Sequence, residues 1–520
     1  MKSEVPKEVA QVVAVLESAG FEAYLVGGCV RDLLLKRAPK DWDVTTSAQP
    51  EKLQELFSSS APPPLEATDG QSKASEDKPG TVYENKFGTV GVKTGSDDPR
   101  VKIVEVTTFR IEGRYTDKRH PDEVAFADRV EDDLSRRDFT INALAARLDG
   151  NEVAEIIDPH GGAADLTAKI IRTVGAPETR FDEDALRLMR AVRFWTEFQG
   201  FSAGGGPASP WEIDRDTRRA IEAKAGLLEA IAKERIRDEF AKIIMAPAAG
   251  RGIVLLEELD LLRYVLPELR DGLGVGQNKH HIYSVFEHNI RSLEYAAKEN
   301  YSPEVRLAAL LHDVGKPKAK QGEGPDCTFY NHDRIGARLA ARALERLRFS
   351  KDVIERITHL VLYHMFYYNV GEVSPAGVRR FLARIGPENV DDFMKIREAD
   401  RIGSGVPKAV PYKMRHLLFM IEKVKADPVG PKMLKVNGED VMKVAGIPPS
   451  AKVGQILSVL LEEVLDDPAR NEREALERRV KELAALSGAE LIAMRKKAEG
   501  RKEEFESGQE EEMKKKYWVK

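Results

Sequence analysis

The chain reads as an α+β protein, with a small head built on a mixed sheet followed by an all-α remainder. Three observations predict this class. Strand-like and helix-like runs alternate only up to about residue 150. Beyond about residue 180, apolar residues recur at helical spacing almost without a break, apart from a Gly/Pro-rich loop at 200–210. Finally, 42% apolar residues across 520 positions supply ample core material, which excludes a disordered or low-complexity chain.

The elements come in this order. Residues 5–19 carry apolar side chains at helical spacing, and Phe21–Val26 predicts a short strand running into Gly27-Gly28. A second helix continues through Leu35, and Trp42–Val44 predicts the next strand. Residues 58–80 are rich in Ser, Pro and Gly and poor in apolar residues, the composition of a flexible surface insertion. Runs rich in Val, Ile and Thr at 87–93 and 101–109 predict further strands. The last 26 residues hold nine Lys/Arg and seven Glu, which reads as a solvated helix or a frayed tail. The expected division is a head at 1–150, a helical neck and body at 151–275, a further helical domain at 276–405 and a helical tail region at 406–520.

Composition narrows the setting. Two cysteines, Cys29 and Cys327, cannot build a disulfide framework, which fits a reducing cytoplasm. No charged-then-apolar leader opens the chain, and no apolar run approaches the ~18 residues of a membrane span. With 81 basic and 86 acidic residues the net charge is −5, which argues against coating nucleic acid by bulk electrostatics. Local basic strips at Arg110–Arg119, Arg129–Arg137 and Arg180–Arg193 still leave a nucleic-acid surface open.

The densest chemistry lies in Leu25-Val-Gly-Gly-Cys-Val-Arg-Asp32 and Lys40-Asp-Trp-Asp-Val-Thr-Thr46. Gly27 and Gly28 stand where a strand ends and a helix begins, a place where backbone N–H groups can approach a phosphate. Asp41 and Asp43, one residue apart on the expected strand, project from one face. Two such carboxylates need a compensating cation, and hard oxygen ligands suit Mg²⁺. A metal pair there would activate an attacking hydroxyl and neutralise a leaving pyrophosphate. Glu105, in Val-Lys-Ile-Val-Glu-Val, is the candidate third carboxylate.

Taken together with Arg31-Asp32 between them, these motifs resemble those of class II CCA-adding tRNA nucleotidyltransferases and bacterial poly(A) polymerases, a family of the polymerase-β superfamily. The resemblance runs from about 20 to 470 and is strongest over 24–240. Asp133-Leu-Ser-Arg-Arg-Asp-Phe-Thr-Ile-Asn142 is similar to the family element that contacts ribose and triphosphate. Arg136 and Arg137 can pair phosphates, and Asp138 and Asn142, four apart on one expected helix face, can hold sugar hydroxyls. Asp158-Pro-His-Gly-Gly resembles the hinge between head and neck, its glycines suggesting mobility. Glu183-Asp-Ala-Leu-Arg-Leu-Met-Arg-Ala-Val-Arg193 resembles the family's base-selecting helix. There Asp184 and Arg187, three apart, can hydrogen-bond the edge of a base, and the resemblance implies a protein template that selects CTP and then ATP. Arg190 and Arg193 read as phosphate-binding or packing residues. Lys233-Glu-Arg-Ile-Arg-Asp-Glu-Phe240 resembles a structural family motif, and Glu234 and Arg237 are given no chemistry.

Thr108–Pro121 resembles the flexible loop that relatives need for the final adenosine, so addition of two cytidines alone is disfavoured. Complete CCA addition to tRNA, A-only addition and poly(A) synthesis stay open. CCA addition is preferred because a metal-hydrolase-like segment lies beyond the helical body, an arrangement resembling some bacterial CCA-adding enzymes. Seven of the ten histidines fall between 280 and 364. His312-Asp313, in a helix ending at Gly315, resembles the signature of HD phosphohydrolases, and His288 and Asp400 fit its outer ligands. Imidazoles with carboxylates suit Mn²⁺, Ni²⁺, Fe²⁺ or Mg²⁺, and His332 and His364 fit a second metal or a substrate phosphate. Trimming of 3′-phosphate or 2′,3′-cyclic phosphate RNA ends is the implied activity. A hydrolase carrying an inactive RNA-binding head is the remaining alternative. The stretch from Leu434 to Pro468 resembles the family's tail helices, which contact the tRNA elbow or pack under the hydrolase domain. Monomer and dimer both stay open.

Overall fold

The computed structural model describes residues 5–58, 80–84, 88–112, 124–199, 210–278, 282–366, 368–370, 372–425 and 427–494. The expected insertion, most of the 108–121 loop and the charged tail therefore fall outside the described residues. The chain forms two compact units. One comprises Met1–Asp271, Ala297–Pro303 and Arg342–Ser350, the other Gly272–Ala296, Glu304–Ala341 and Lys351–Lys520.

The first unit opens with the helix Lys7–Ser18, which buries Val9, Val12, Val13 and Leu16 on one face. Its strands are β1 (Ala23–Val26), β2 (Asp43–Thr46), β3 (Gly80–Glu84), β4 (Thr89–Lys93), β5 (Ile103–Thr108), β6 (Arg110–Glu112), β7 (Val124–Phe126), β8 (Ala145–Asp149) and β9 (Glu152–Ile157). Seven of them build one sheet in the order β3-β4-β5-β2-β1-β8-β9, while β6 and β7 form a separate antiparallel ribbon. Only the β2–β5 pair in the large sheet runs parallel, and its register sets Asp43 beside Glu105. Val44, Thr45 and Thr46 of β2 are buried while Asp43 is half-buried. The strand therefore anchors its apolar body in the sheet and delivers a carboxylate at its first residue.

Three local expectations are corrected by the backbone. Asp41 precedes β2 instead of lying on it, so the aspartates converge through a bend and not through strand alternation. Asp138 and Asn142 do not share an α-helix, because the helix Val130–Ser135 stops and a 3₁₀ turn covers Thr140–Asn142. Asp184 lies between the helices Pro177–Glu183 and Leu186–Phe198, in extended backbone (φ −137°, ψ 103°). It is not one turn below Arg187 on a continuous helix. A fourth reading concerns the glycines at 161 and 162. A Cβ on Gly162 would stand 2.1 Å from the carbonyl oxygen of Thr140, and the Asp158 carboxylate accepts from the N–H groups of Gly162 and Ala163 at 2.7 and 2.9 Å. That glycine is demanded by close packing of two backbones, not by mobility.

Helices then dominate, apart from a two-residue parallel pairing of Ile170–Ile171 with Glu212–Ile213. The helix Leu186–Phe198 is buried on most sides, among them through Leu188, Met189, Val192 and Phe198. The named elements of the second unit's described residues are all helices, joined by loops and one isolated antiparallel bridge between Gln321 and Thr328. One of its cores gathers Val378, Leu382, Met414, Leu417 and Ile421, another Val441, Ile456, Leu460, Val480 and Leu483. Among the described residues no helix is long and apolar enough to cross a membrane.

Candidate active site

A cleft of about 740 Å³ opens in the first unit. Eleven Lys and Arg side chains and six carboxylates line it, an excess of positive charge that suits a triphosphate. All the head residues singled out from sequence reach it except Glu105, which stands beside Asp43 in the sheet.

The turn after β1 is shaped by Gly27, whose φ of +78° is strained for any other residue. A Cβ there would also lie 2.7 Å from an Arg137 guanidinium nitrogen. Gly28 is different: a Cβ would make ordinary contacts at 3.7 Å with Arg31 and 4.0 Å with Asp41 Oδ1. Burial and the neighbouring Asp41 push the Asp43 carboxyl up to about 7, with Glu105 adding to this and Arg137 opposing it. A buried carboxylate with a second one beside it lacks a compensating charge at that point, and the all-oxygen donor set fits a hard divalent cation.

Behind the carboxylates runs a continuous polar chain. Arg31 Nη1 donates to Asn142 Oδ1 at 2.7 Å, Asn142 Nδ2 donates to Asp138 Oδ1 at 3.1 Å, and Arg190 Nε donates to Asp138 Oδ2 at 2.7 Å. Burial alone would raise the Asp138 carboxyl, but Arg190 and Arg187 hold it down to about 2. Arg31 also lies over the rings of Phe194 and Phe198 at 5.4 and 5.2 Å. Arg136 and Arg137 both hold the fully buried Asp133, at 2.7 and 3.2 Å, which fixes the two guanidinium groups before any phosphate arrives.

Asp184 and Arg187 line the same cleft, and the Arg187 N–H donates to the Asp184 carbonyl at 3.0 Å, yet their side chains hold different partners. Arg187 Nη1 donates to Glu183 at 2.7 Å and Nη2 to the carbonyl of Arg136 at 3.1 Å. Asp184 is gripped by Arg235, whose two terminal nitrogens donate to its two oxygens at 3.2 and 2.8 Å. Arg193 is turned inward onto Glu239 at 2.5 Å and stacks on Phe194 at 3.9 Å. Its contacts are those of packing, and it still lines the cleft. Asp133, Glu183 and Arg235 are the residues that sequence reasoning missed. The spacing of Asp133 to Arg136 and Arg137 is a legible signal; nothing local links Arg235 to a carboxylate 51 positions earlier.

A second constellation lies wholly in the second unit. His288 Nε2 stands 2.9 Å from His312 Nε2, 3.1 Å from Asp313 Oδ2 and 3.4 Å from Asp400 Oδ1. The other oxygen of Asp313 faces His332 Nε2 at 3.3 Å and His364 Nε2 at 3.6 Å. Two sets, His288–His312–Asp313 and Asp313–His332–His364, thus offer ligand atoms within 4.8 Å of one another. His312, His332 and His364 each direct Nδ1 to a carbonyl oxygen, those of Ala309, Phe329 and Val361, at 2.8, 2.8 and 2.7 Å. The donation makes Nδ1 a protonated nitrogen and turns each Nε2 toward the common centre, where Nε2 of His332 and of His364 has no hydrogen-bond partner. Burial would push the His312 imidazole down, but Asp313 and Asp400 raise it to about 10. Nitrogen and oxygen donors converging on buried space fit a divalent transition metal or Mg²⁺.

A mixed sheet that presents carboxylates at a strand end, over a cleft rich in arginine, defines a nucleotidyltransferase. The comparisons agree. The chain matches the poly A polymerase head domain over residues 23–172, the probable RNA and SrmB-binding site of polymerase A over 211–273, and the HD domain over 285–390. It is 42% identical to a CCA-adding enzyme of Lactobacillus delbrueckii subsp. bulgaricus over 91% of this chain and 97% of that one. An A-adding tRNA nucleotidyltransferase of Deinococcus radiodurans is 34% identical over 66% of this chain and 76% of that one. Among solved structures, the Bacillus stearothermophilus CCA-adding enzyme in complex with CTP matches with a TM-score of 0.65 and 29% identity, covering 92% of this chain and 97% of that one. The chain belongs to the family of CCA-adding tRNA nucleotidyltransferases and poly(A) polymerases, whose head and HD domains are metal-dependent.

Proposed function

We propose that the enzyme adds CCA to the 3′ ends of tRNA from CTP and ATP without a nucleic-acid template. The observation that carries this is one cleft lined by Asp41 and Asp43, by the phosphate-type arginines Arg136 and Arg137, and by Asp184 and Arg187. Asp41 and Asp43, with Glu105 beside them, hold divalent cations, which we take to be Mg²⁺. When bound, these supply charge neutralisation for the reacting phosphate and the leaving pyrophosphate. Gly27, Gly28 and Arg31 shape the floor under the triphosphate, and Arg136 and Arg137 neutralise it. Asp138 and Asn142 hold the sugar, with Arg190 fixing Asp138. Asp184 and Arg187 meet the edge of the base, and Arg193 sustains their helix. Because these groups are held by Arg235, Glu183 and Asp133 before substrate binds, little reorganisation is left for the transfer step.

The corresponding functional division is head 1–150, neck and body 151–275, HD domain 276–405 and tail region 406–520, in a cytoplasmic enzyme. A-only addition is the second reading, favoured by the likeness to the Deinococcus enzyme. Incubating the protein with tRNA lacking its 3′ end plus labelled CTP and ATP, then sequencing the products, decides between them. Ends of CCA are expected, whereas A alone or long A tracts would overturn the assignment.

For the second constellation we infer an RNA-end phosphohydrolase. His288, His312, Asp313 and Asp400 would hold a metal, with Mn²⁺, Ni²⁺, Fe²⁺ and Mg²⁺ all compatible with the donors, and His332 and His364 a second metal or the substrate phosphate. Such a metal supplies Lewis acidity toward a phosphate ester. Elemental analysis and release of phosphate from 3′-phosphorylated RNA test this. A metal-free protein that releases none would mark the domain as a scaffold.

A further inference from the structure

Beside the His/Asp cluster, and apart from the nucleotidyltransferase cleft, lies a pocket of about 240 Å³. Arg397, Arg401 and Lys413 line it together with Phe366 and Tyr368, and none of its lining residues carries a carboxylate. Arg397 connects it to the cluster: its Nη1 donates to Asp400 Oδ2 at 2.7 Å, while Asp400 Oδ1 faces His288 and His312 at 3.4 and 3.7 Å. Arg401 Nε donates to the carbonyl of Lys408 at 3.3 Å, and Lys413 Nζ donates to the side-chain oxygen of Asn369. Both of these cations thus meet neutral acceptors.

From the pocket an aromatic row continues along the helix Tyr412–Val424. Tyr412, His416 and Phe419 fall at spacings of four and three, which places them on one face. Adjacent ring centroids are each 6.0 Å apart, and the Tyr368 ring lies 5.9 Å from His416. Tyr412 is 63% exposed and Phe419 62%. The row is not core packing, because the helix buries Met414, Leu417, Ile421 and Val424 instead. Exposed rings leading into a basic pocket form the combination that holds single-stranded nucleic acid: bases stack on the rings and the backbone follows the positive charge.

We propose that this pocket and the aromatic row bind the 3′ end of a single-stranded RNA, with bases on Tyr412, His416 and Phe419 and backbone phosphates at Arg401 and Lys413. Arg397 then stands at the threshold of the His/Asp cluster, so a terminal phosphate is delivered to the metal ligands. The proposal rests on the phosphohydrolase reading for its purpose, though not for its geometry. It also specifies that reading: the substrate is an unpaired RNA end several nucleotides long, not a free phosphate ester.

The test uses the full-length protein and a fluorescein-labelled RNA pentanucleotide ending in a 3′-phosphate, with binding followed by anisotropy. Tyr412→Ala/Phe419→Ala alters only exposed side chains, so the fold is retained, and with two stacking rings lost it should weaken binding about thirtyfold or more. Arg401→Gln/Lys413→Gln should flatten the slope of log affinity against log salt by ~1.4, at ~0.7 per lost contact for a single strand. His312→Ala should lose phosphate release, while its oligonucleotide binding keeps its dependence on Tyr412, Phe419, Arg401 and Lys413. Unchanged affinity and salt slope in both double variants would overturn the track. Binding that depends on the track, in a wild type that releases no phosphate, would uphold the track and overturn the hydrolase reading alone.

Discussion

Replacing Arg235 by alanine should damage base selection more than it damages the fold. Arg235 holds both oxygens of Asp184, and the two side chains are 24% and 16% exposed. Breaking a fully buried ion pair costs ~3–5 kcal/mol, whereas an exposed pair contributes ~0.2–1 kcal/mol. This pair lies between those limits, so a stability loss of about 1–2 kcal/mol is expected. Asp184 would keep its bond from the N–H of Leu186 at 3.0 Å, so the break between the two helices should survive. What disappears is the clamp that fixes the direction of the carboxylate. A bidentate contact to a base edge discriminates by ~1–3 kcal/mol, and losing its alignment should lower selectivity between the correct and incorrect nucleotide about tenfold. The assay is kcat/KM for CTP and for ATP on tRNA lacking its 3′ end, alongside thermal melting. Arg235→Lys, which retains the charge but not the fork, should recover stability better than selectivity. A variant that melts earlier yet discriminates as the wild type does would refute the reasoning and leave Arg235 a packing residue.

Asp43→Ala should abolish nucleotide addition with circular dichroism unchanged. The Asp43 carboxyl is pushed up to about 7 by burial and Asp41, so the folded state without metal disfavours its charged form. Stability of the metal-stripped protein should therefore fall as pH rises from about 4 through 7, and adding Mg²⁺ should restore it in a urea titration; a flat profile would contradict the repulsion. Asp138 has the opposite sign. Its carboxyl is held down to about 2 by Arg190 and Arg187 against the effect of burial, so its contribution of about 2 kcal/mol is complete above about pH 4 and lost as pH falls toward 2. The gap in unfolding free energy between wild type and Asp138→Asn should close over that window. Gly162→Ala, with its Cβ driven onto the Thr140 carbonyl, should cost ~1–3 kcal/mol and lower the melting temperature by several degrees. An unaltered melt would restore the view of that glycine as a hinge.

How much could be read from sequence differs from element to element. The helix Lys7–Ser18 and strands β1, β2, β4 and β5 were legible because apolar periodicity is a local property of the chain. Local periodicity misled where the chain turns: it put Asp41 on a strand, Asp138 and Asn142 on one helix face, and Asp184 one turn from Arg187. In each case a short backbone break separates the partners, and hydrogen bonds to distant segments decide where such breaks fall. Asn142 still reaches Asp138 at 3.1 Å, so the two side chains lie together although they share no helix face.

By itself the sequence determined which chemistry is present: carboxylates after a Gly-Gly turn, arginines in a fixed order, and histidines concentrated in one helical region. Residue type and order are covalent facts, and they suffice for donor sets and for family membership. The tertiary structure alone decided the pairings. It joined Arg235 to Asp184, turned Arg193 inward onto Glu239, set Asp313 between two groups of imidazoles, and laid an aromatic row beside Arg401 and Lys413. The reason is physical. An ion pair or a ligand set depends on distance in space, and that distance is set by the packing of all the elements together, which no window of neighbouring residues contains.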